Sequence, residues 1–84
     1  MKKHYKKGNR YLEEGRYDEA VRELSEAVAK CQEKDDEPCD LYLGRLEYAK
    51  SRAAERYYAH AERYFAEKIL DQALKSIDKA IHYA

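Results

Sequence analysis

The sequence predicts an all-α fold, and three observations support that prediction. The composition favours helices, because Ala, Glu, Lys, Arg and Leu are abundant while the chain has one proline, three glycines and few β-branched residues. Apolar residues recur at the i, i+3, i+4 spacing of one helix face. The end of the chain also repeats the pattern of its beginning at a shift of 53 residues. The 84 residues suffice for a single domain with a limited core.

Polar breaks divide the chain into four predicted helices. Gly15 begins the first break, and Asp18 is placed to cap helix 2. The polar run 34–38 forms the second break, and its proline suits the first turn of helix 3. Asp71 repeats the position of Asp18 and is expected to cap helix 4. The predicted helices span about residues 2–14, 18–34, 38–68 and 71–83.

Helix 3 is predicted to be unusually long. Gly44 is the only residue that weakens its pattern, so we expect a continuous helix that protrudes beyond the first hairpin. Helix 4 then returns along the protruding part alone, and the apolar residues Leu74, Ile77 and Ile81 lack neighbours. Two arrangements resolve this. Either the long third helices of a homodimer pack antiparallel, or a kink near Gly44 or residues 50–52 folds the second hairpin onto the first.

The matching segments have the pattern of two stacked helical hairpins. Large apolar residues align with large apolar residues, and small residues align with small ones. Self-similarity of this kind is typical of repeat proteins, whose units stack to bury a shared core. The aligned pairs include Tyr5 with Tyr58, Gly8 with Ala61, Tyr11 with Tyr64, Leu12 with Phe65, Asp18 with Asp71, Ala20 with Ala73, Val21 with Leu74, Leu24 with Ile77, Ala27 with Ala80 and Val28 with Ile81.

The run 8–21, together with Leu24 and Ala27, resembles a tetratricopeptide repeat. The resemblance implies that Gly8 and Ala20 are small because two helices approach closely there, and that Gly15 makes the turn between them. It also implies a repeat one at residues 1–34, an extension at 35–53 and a repeat two at 54–84. The second repeat departs from the family pattern at His60, Lys68 and Leu70, and the spacing of 53 residues exceeds the family period of about 34.

The resemblance further implies a concave groove that binds a peptide. Aromatic anchors beside polar groups suit such binding. The alternative is that Tyr5 and Tyr58 seal the seam between helices 1 and 3. The implied groove residues are Tyr5, Lys6, Asn9, Leu12 and Glu13 from repeat one, and Tyr58, Ala59, Glu62 and Phe65 from repeat two.

Cys31 and Cys39 flank the break between helices 2 and 3. Residues that face each other across an antiparallel hairpin have indices with a constant sum, and a loop centred near residue 35 places these two cysteines opposite each other. The spacing is therefore compatible with a disulfide, and equally with two reduced thiols in a cytosolic protein. Two cysteines without nearby histidines are too few for a zinc site, so we expect no metal and no cofactor.

Several function classes are disfavoured. The sequence has no glycine-rich phosphate loop, no nucleophile elbow and no paired-histidine metal motif, so we do not expect an enzyme. The 17 basic residues balance 17 acidic ones, which argues against nucleic-acid binding. No apolar run has the length of a membrane span, and the beginning of the chain does not resemble a signal peptide, so we expect a cytoplasmic protein and no membrane partner.

The leading hypothesis is a non-catalytic protein–protein interaction or scaffold module of the tetratricopeptide type that binds a protein or peptide and self-associates. A second is a structural helical oligomer, natural or redesigned as a repeat scaffold, with no ligand beyond itself. A third is another three-helix recruitment domain, such as the microtubule-interacting-and-trafficking type. The second repeat in helix 4 argues against the third hypothesis.

Overall fold

Helix-favouring residues form four helices in the described part of the chain. The computed structural model describes residues 2–34 and 39–84. The helices are α1 (Lys2–Glu13), α2 (Tyr17–Lys34), α3 (Asp40–Ala66) and α4 (Leu70–Tyr83). The predicted all-α fold with a long third helix is confirmed, since α3 has 27 residues and is the longest. Residues 35–38 of the predicted break at 34–38, including the predicted helix start at Pro38, lie outside the described residues.

The turns after α1 and α3 share one hydrogen-bond pattern. In each, one backbone N–H donates to the carbonyl three residues before it, and the next N–H donates to the carbonyl five residues before it, at 2.8–3.1 Å. The donors are Gly15 and Arg16 after α1, and Lys68 and Ile69 after α3. Gly15 and Lys68 both have a left-handed backbone, with φ of 75° and 63°. The repeat in the sequence is therefore also a repeat in backbone structure.

The two aspartates predicted to cap helices lie inside them. α2 begins at Tyr17, which places Asp18 within its first turn. The N-cap of α4 is Ile69, and no side chain makes a capping hydrogen bond there, so the predicted cap by Asp71 is wrong. Asp71 instead lies in the first turn, where its carboxylate interacts favourably with the helix dipole.

The structure divides into two compact units between Ala49 and Lys50. In the first unit, α1, α2 and the first part of α3 enclose one core. Gly8 packs so closely on α2 that an added Cβ would lie 2.6 Å from Cγ of Leu24. The buried apolar residues of this core are Leu12, Ala20, Leu24, Ala27, Val28, Cys31, Tyr42, Leu46 and Ala49.

A disulfide joins the end of α2 to the start of α3. It links Cys31, which is fully buried, to Cys39, and the two Cα atoms are 5.9 Å apart. This separation lies in the usual range for a disulfide. The bond therefore holds the first part of α3 against α2 at this end of the first unit.

Small residues occupy the buried positions of the second unit. On the same hairpin, the ring of Tyr57 from α3 stacks on that of Tyr83 from α4, with centroids 6.0 Å apart. Small side chains let two helices approach closely, but they bury little apolar area. The buried residues of this unit are Ala53, Ala54, Ala61, Ala73, Ser76 and Ala80.

Candidate functional site

Three of the residues predicted to form the groove of repeat one lie against α3. The ring of Tyr5 packs on Tyr42, with centroids 4.7 Å apart. The Nε–H of Arg45 donates a hydrogen bond to Oδ1 of Asn9 at 2.9 Å. Leu12 is buried in the core that also contains Tyr42. In the first unit the predicted groove is therefore covered by the chain's own third helix.

The remaining residues of that predicted set, Lys6 and Glu13, are exposed on α1. Their apolar neighbours on α1, Tyr5 and Leu12, pack against the first part of α3. For Tyr5, this arrangement agrees with the alternative that the aromatic residues seal the seam between helices 1 and 3.

The predicted residues of repeat two lie together in an open apolar groove. Tyr58, Glu62 and Phe65 line a volume of about 420 Å³ between α3 and α4. Ala59, the other residue predicted from repeat two, is exposed and is not among the lining residues. The other lining residues are Ala61, Ala66 and Ile77, so Glu62 carries the only charge among the six.

Several matched positions that carry large residues differ in exposure between the two units. Leu12 is 8% exposed, whereas its match Phe65 is 68% exposed. Val28 is 8% exposed, whereas Ile81 is 61% exposed. These large side chains are buried in the first unit because the first part of α3 packs on them.

Small residues at matched positions do not differ in this way. Ala20 and Ala27 are buried in the first unit, and their matches Ala73 and Ala80 are buried in the second. The two hairpins therefore bury the same small positions. What the second unit lacks is a covering helix.

The exposed apolar residues continue along α4. Leu70, Leu74, Ile77 and Ile81 recur at the spacing of one helix face, and all four are exposed. We call these four residues, together with Tyr58, Phe65 and the other groove residues, the apolar face; Ile77 belongs to both sets. Contiguous exposed apolar surface of this kind marks interaction sites in soluble proteins.

A polar cluster in the first unit links α1 to α2. Nζ of Lys30 lies 3.1 Å from Nε2 of His4, and Nδ1 of His4 lies 2.9 Å from Oε1 of Glu23. Because the Lys30 ammonium can only donate, the contact between Nζ and Nε2 suits a neutral imidazole whose hydrogen on Nδ1 points to Glu23. This hydrogen bond from His4 is the main cause of a lowered pKa of Glu23. The cluster stabilises the contact between two helices.

Two other kinds of site are absent from residues 2–34 and 39–84. No group of three or more His, Cys, Asp or Glu side chains in this part is arranged to hold a metal ion. No helix there combines the length and the apolar character needed to cross a membrane.

Comparison with known proteins identifies no relative of this chain. No family model, curated protein or solved structure matches the chain. The resemblance to tetratricopeptide repeats therefore stays a prediction carried by the residues quoted above.

Ala61 and Ile77, which match Gly8 and Leu24 of the first repeat, are not among the groove residues that the sequence predicts. Their spacing is the same whether or not a third helix covers them, so periodicity does not separate the two cases. The useful signal was geometric. A short helix 4 that returns along a longer helix 3 leaves Leu74, Ile77 and Ile81 with too few neighbours.

Proposed function

We propose that this chain is a non-catalytic protein-interaction module of the tetratricopeptide type, and that it binds a helix of a partner protein on the apolar face of its second unit. The observation that carries the proposal is the exposure of Phe65 and Ile81, whose matches Leu12 and Val28 are buried by α3 in the first unit. Burying a side chain of this size contributes about 1.5–3 kcal/mol. A partner that buries several of these side chains therefore gains a substantial part of the binding free energy of a specific complex.

The first unit supports a helix as the bound form. The segment that covers the matched positions there, residues 40–49, is itself helical and contributes Tyr42, Leu46 and Ala49 to the core. The second hairpin repeats the turn and the buried small positions of the first. Its uncovered face therefore suits a helix like the one that covers the first hairpin. Binding of an amphipathic helix in an apolar groove is a common mode of protein recognition.

A display library of amphipathic helical peptides tests the proposal. We expect enrichment of ligands on the parent protein and none on Phe65→Asp, because the aspartate places a charge in the groove. Leu41→Asp is the matched control, since Leu41 is also exposed but belongs to the first unit, and it should enrich the same ligands as the parent. Circular dichroism should show equal helicity for all three proteins. No enrichment on the parent, or equal enrichment on Phe65→Asp, contradicts the proposal.

Self-association is the second candidate, and the exposed α4 residues Leu74, Ile77 and Ile81 favour it. In the predicted homodimer the third helices of two copies pack antiparallel, and each chain covers apolar residues of the other around a two-fold axis. A structural oligomer, natural or redesigned, would have no other ligand. Light scattering at micromolar concentration should then give twice the chain mass of 10.0 kDa, and Leu74→Asp should restore the single-chain mass.

A further inference from the structure

We infer that the groove of the second unit selects a helix from another protein in which an arginine lies among apolar residues, and that Glu62 is the residue that recognises the arginine. The inference rests on the proposed function and specifies the chemistry of the partner. It follows from the way in which the first unit holds the start of α3.

The start of α3 has a defined pattern on the side that faces α1 and α2. Tyr42, Leu46 and Ala49 lie in the core of the first unit at the spacing of one helix face. Arg45 lies on the flank of that face and donates a hydrogen bond to Asn9. The covering helix therefore presents four residues to the first unit. They are an aromatic residue, an arginine, a leucine and a small residue, at positions 42, 45, 46 and 49.

The second unit offers a counterpart for each of these contacts. The residue that packs on Tyr42 is Tyr5, and its match Tyr58 lines the groove. Among the matched pairs, Leu12 corresponds to Phe65, which lines the same groove.

The counterpart of Asn9 differs in charge. Asn9 accepts one hydrogen bond from Arg45 through its neutral amide oxygen. Its match is Glu62, whose carboxylate can accept two parallel hydrogen bonds from a guanidinium group. Such charge-assisted pairs are roughly twice as strong as neutral ones. The change from Asn9 to Glu62 therefore strengthens the preference for arginine at this position of the bound helix.

The charge of Glu62 also disfavours a helix whose bound face is entirely apolar. Glu62 is the only charged residue among those that line the groove. A helix without a cation would displace water from this carboxylate and offer it no hydrogen-bond donor in exchange. Leaving the carboxylate without a donor costs free energy. A helix with an arginine at the right position satisfies the carboxylate while its other residues cover Tyr58 and Phe65.

A second copy of this chain fits the groove less well. Two grooves packed face to face would bring two Glu62 carboxylates into one interface, and the lining residues supply no cation. Exchange of residues 40–49 between two copies would cover each second unit and uncover each first unit, so no additional apolar surface would be buried. Of these occupants, a helix of a different protein is the one that can supply a cation to Glu62.

A synthetic peptide tests the inference directly. The probe is a fluorescein-labelled peptide of residues 40–52 that carries Gly44→Ala, since nothing lies within 4 Å of a Cβ at Gly44 in the folded chain and alanine favours the helix. Fluorescence anisotropy measures its binding to the full-length protein. We expect the parent protein to bind it and Glu62→Gln to bind it about ten- to a hundredfold more weakly.

Charge reversal provides the control. Glu62→Arg should lose the probe and should instead bind a second peptide that differs only by Arg45→Glu. The parent protein should discriminate against that second peptide. Phe65→Asp should bind neither peptide, which locates the binding in the groove and not at the first unit.

The outcomes separate the inference from the proposed function. If Phe65→Asp abolishes binding and Glu62→Arg does not change it, arginine recognition is overturned while helix binding stands. If neither peptide binds but the library enriches other helices, the inference alone fails. If neither peptide binds, the library enriches nothing and light scattering gives a dimer, both the inference and the partner-helix proposal fail in favour of self-association.

Discussion

At the scale of single residues, Lys68 is the clearest difference between the two turns. It stands where the first repeat has Gly15, and the sequence therefore marks it as a departure from the turn pattern. The backbone keeps the turn nevertheless, with φ of 63° at Lys68 against 75° at Gly15. A side chain in the left-handed region costs roughly 1–2 kcal/mol. The two hydrogen bonds of the turn, donated by Lys68 and Ile69, offset part of this cost.

Lys68→Gly is therefore expected to stabilise the protein. Glycine adopts a positive φ without strain, and Lys68 is exposed, so the unfolding free energy should rise by about 1 kcal/mol. Urea denaturation followed by circular dichroism measures the change. The reciprocal variant Gly15→Lys should lower the unfolding free energy by a similar amount. A decrease for Lys68→Gly would show that its side chain makes a stabilising contact that outweighs the strain.

The contact between His4 and Glu23 predicts a dependence on pH. The hydrogen bond from His4 lowers the pKa of Glu23 in the folded protein below its unfolded value of about 4.3. A group with a lowered folded pKa stabilises the fold above the unfolded pKa, and this contribution is lost as the pH falls through the folded pKa. We expect Glu23→Gln to reduce the unfolding free energy more at pH 7 than at pH 3, because the contribution decreases as the pH falls. Equal effects at both values would show that the charge of Glu23 does not matter.

At the scale of helices, the sequence predicts which segments are helical better than it predicts what covers them. The residues Val28 in α2 and Ile81 in α4 belong to stripes with the same period, and both stripes correctly predict an amphipathic helix. Yet Val28 is buried and Ile81 is exposed. The periodicity of the apolar residues predicts the helix face on which they lie. Whether that face is buried depends on a segment that is distant in the sequence. Periodicity alone therefore does not predict the apolar face, whereas the relative lengths of helices 3 and 4 predict that Leu74, Ile77 and Ile81 lack neighbours.

The sequence also defines helix ends less well than helix centres. α3 ends at Ala66, two residues before the predicted end, because the turn begins without a glycine to mark it. α4 begins at Leu70 without a side-chain cap, so the search for a capping aspartate placed its start one residue late. In both cases the backbone hydrogen bonds of the turn determine the boundary, and these are not visible in the residue types.

The disulfide between α2 and α3 should contribute measurably to stability. By the loop-entropy relation, a bond between Cys31 and Cys39 stabilises the folded chain by about 2–3 kcal/mol. The double variant Cys31→Ala, Cys39→Ala should have an unfolding free energy that is lower by that amount, as measured by urea denaturation. A reducing agent should lower the stability of the parent but not that of the variant. Two reactive thiols in the untreated, denatured parent would show that the cysteines are reduced. Since disulfides are rare in cytosolic proteins, the same thiol assay also bears on the predicted cytoplasmic location.

At the scale of the whole molecule, the two units differ in the kind of side chain that they bury. The first unit buries Leu24, Tyr42 and Leu46, whereas the second buries alanines and Ser76. Burial of large apolar side chains supplies most of the favourable free energy of folding. The second unit therefore depends more strongly on whatever covers its apolar face.

This difference predicts unequal protection from hydrogen exchange. Backbone amides of α4 should exchange faster than those of α2, because local unfolding is easier where fewer large side chains are buried. Addition of the peptide of residues 40–52 should slow exchange in α4, since a ligand that binds only the folded state stabilises it. Mass spectrometry of pepsin fragments resolves the two helices. Equal protection of α2 and α4 without ligand would contradict the prediction.

The bond between Cys31 and Cys39 also changes the covalent connectivity of the chain. A single backbone cut between residues 34 and 39 leaves both fragments in one molecule, because the disulfide still joins them. One fragment then carries α1 and α2, and the other carries α3 and α4. On an electrophoresis gel the cut protein should migrate as one band, and as two only after reduction. New chain ends, and with them tags or fused domains, can therefore be introduced at this position without separating the start of α3 from α2.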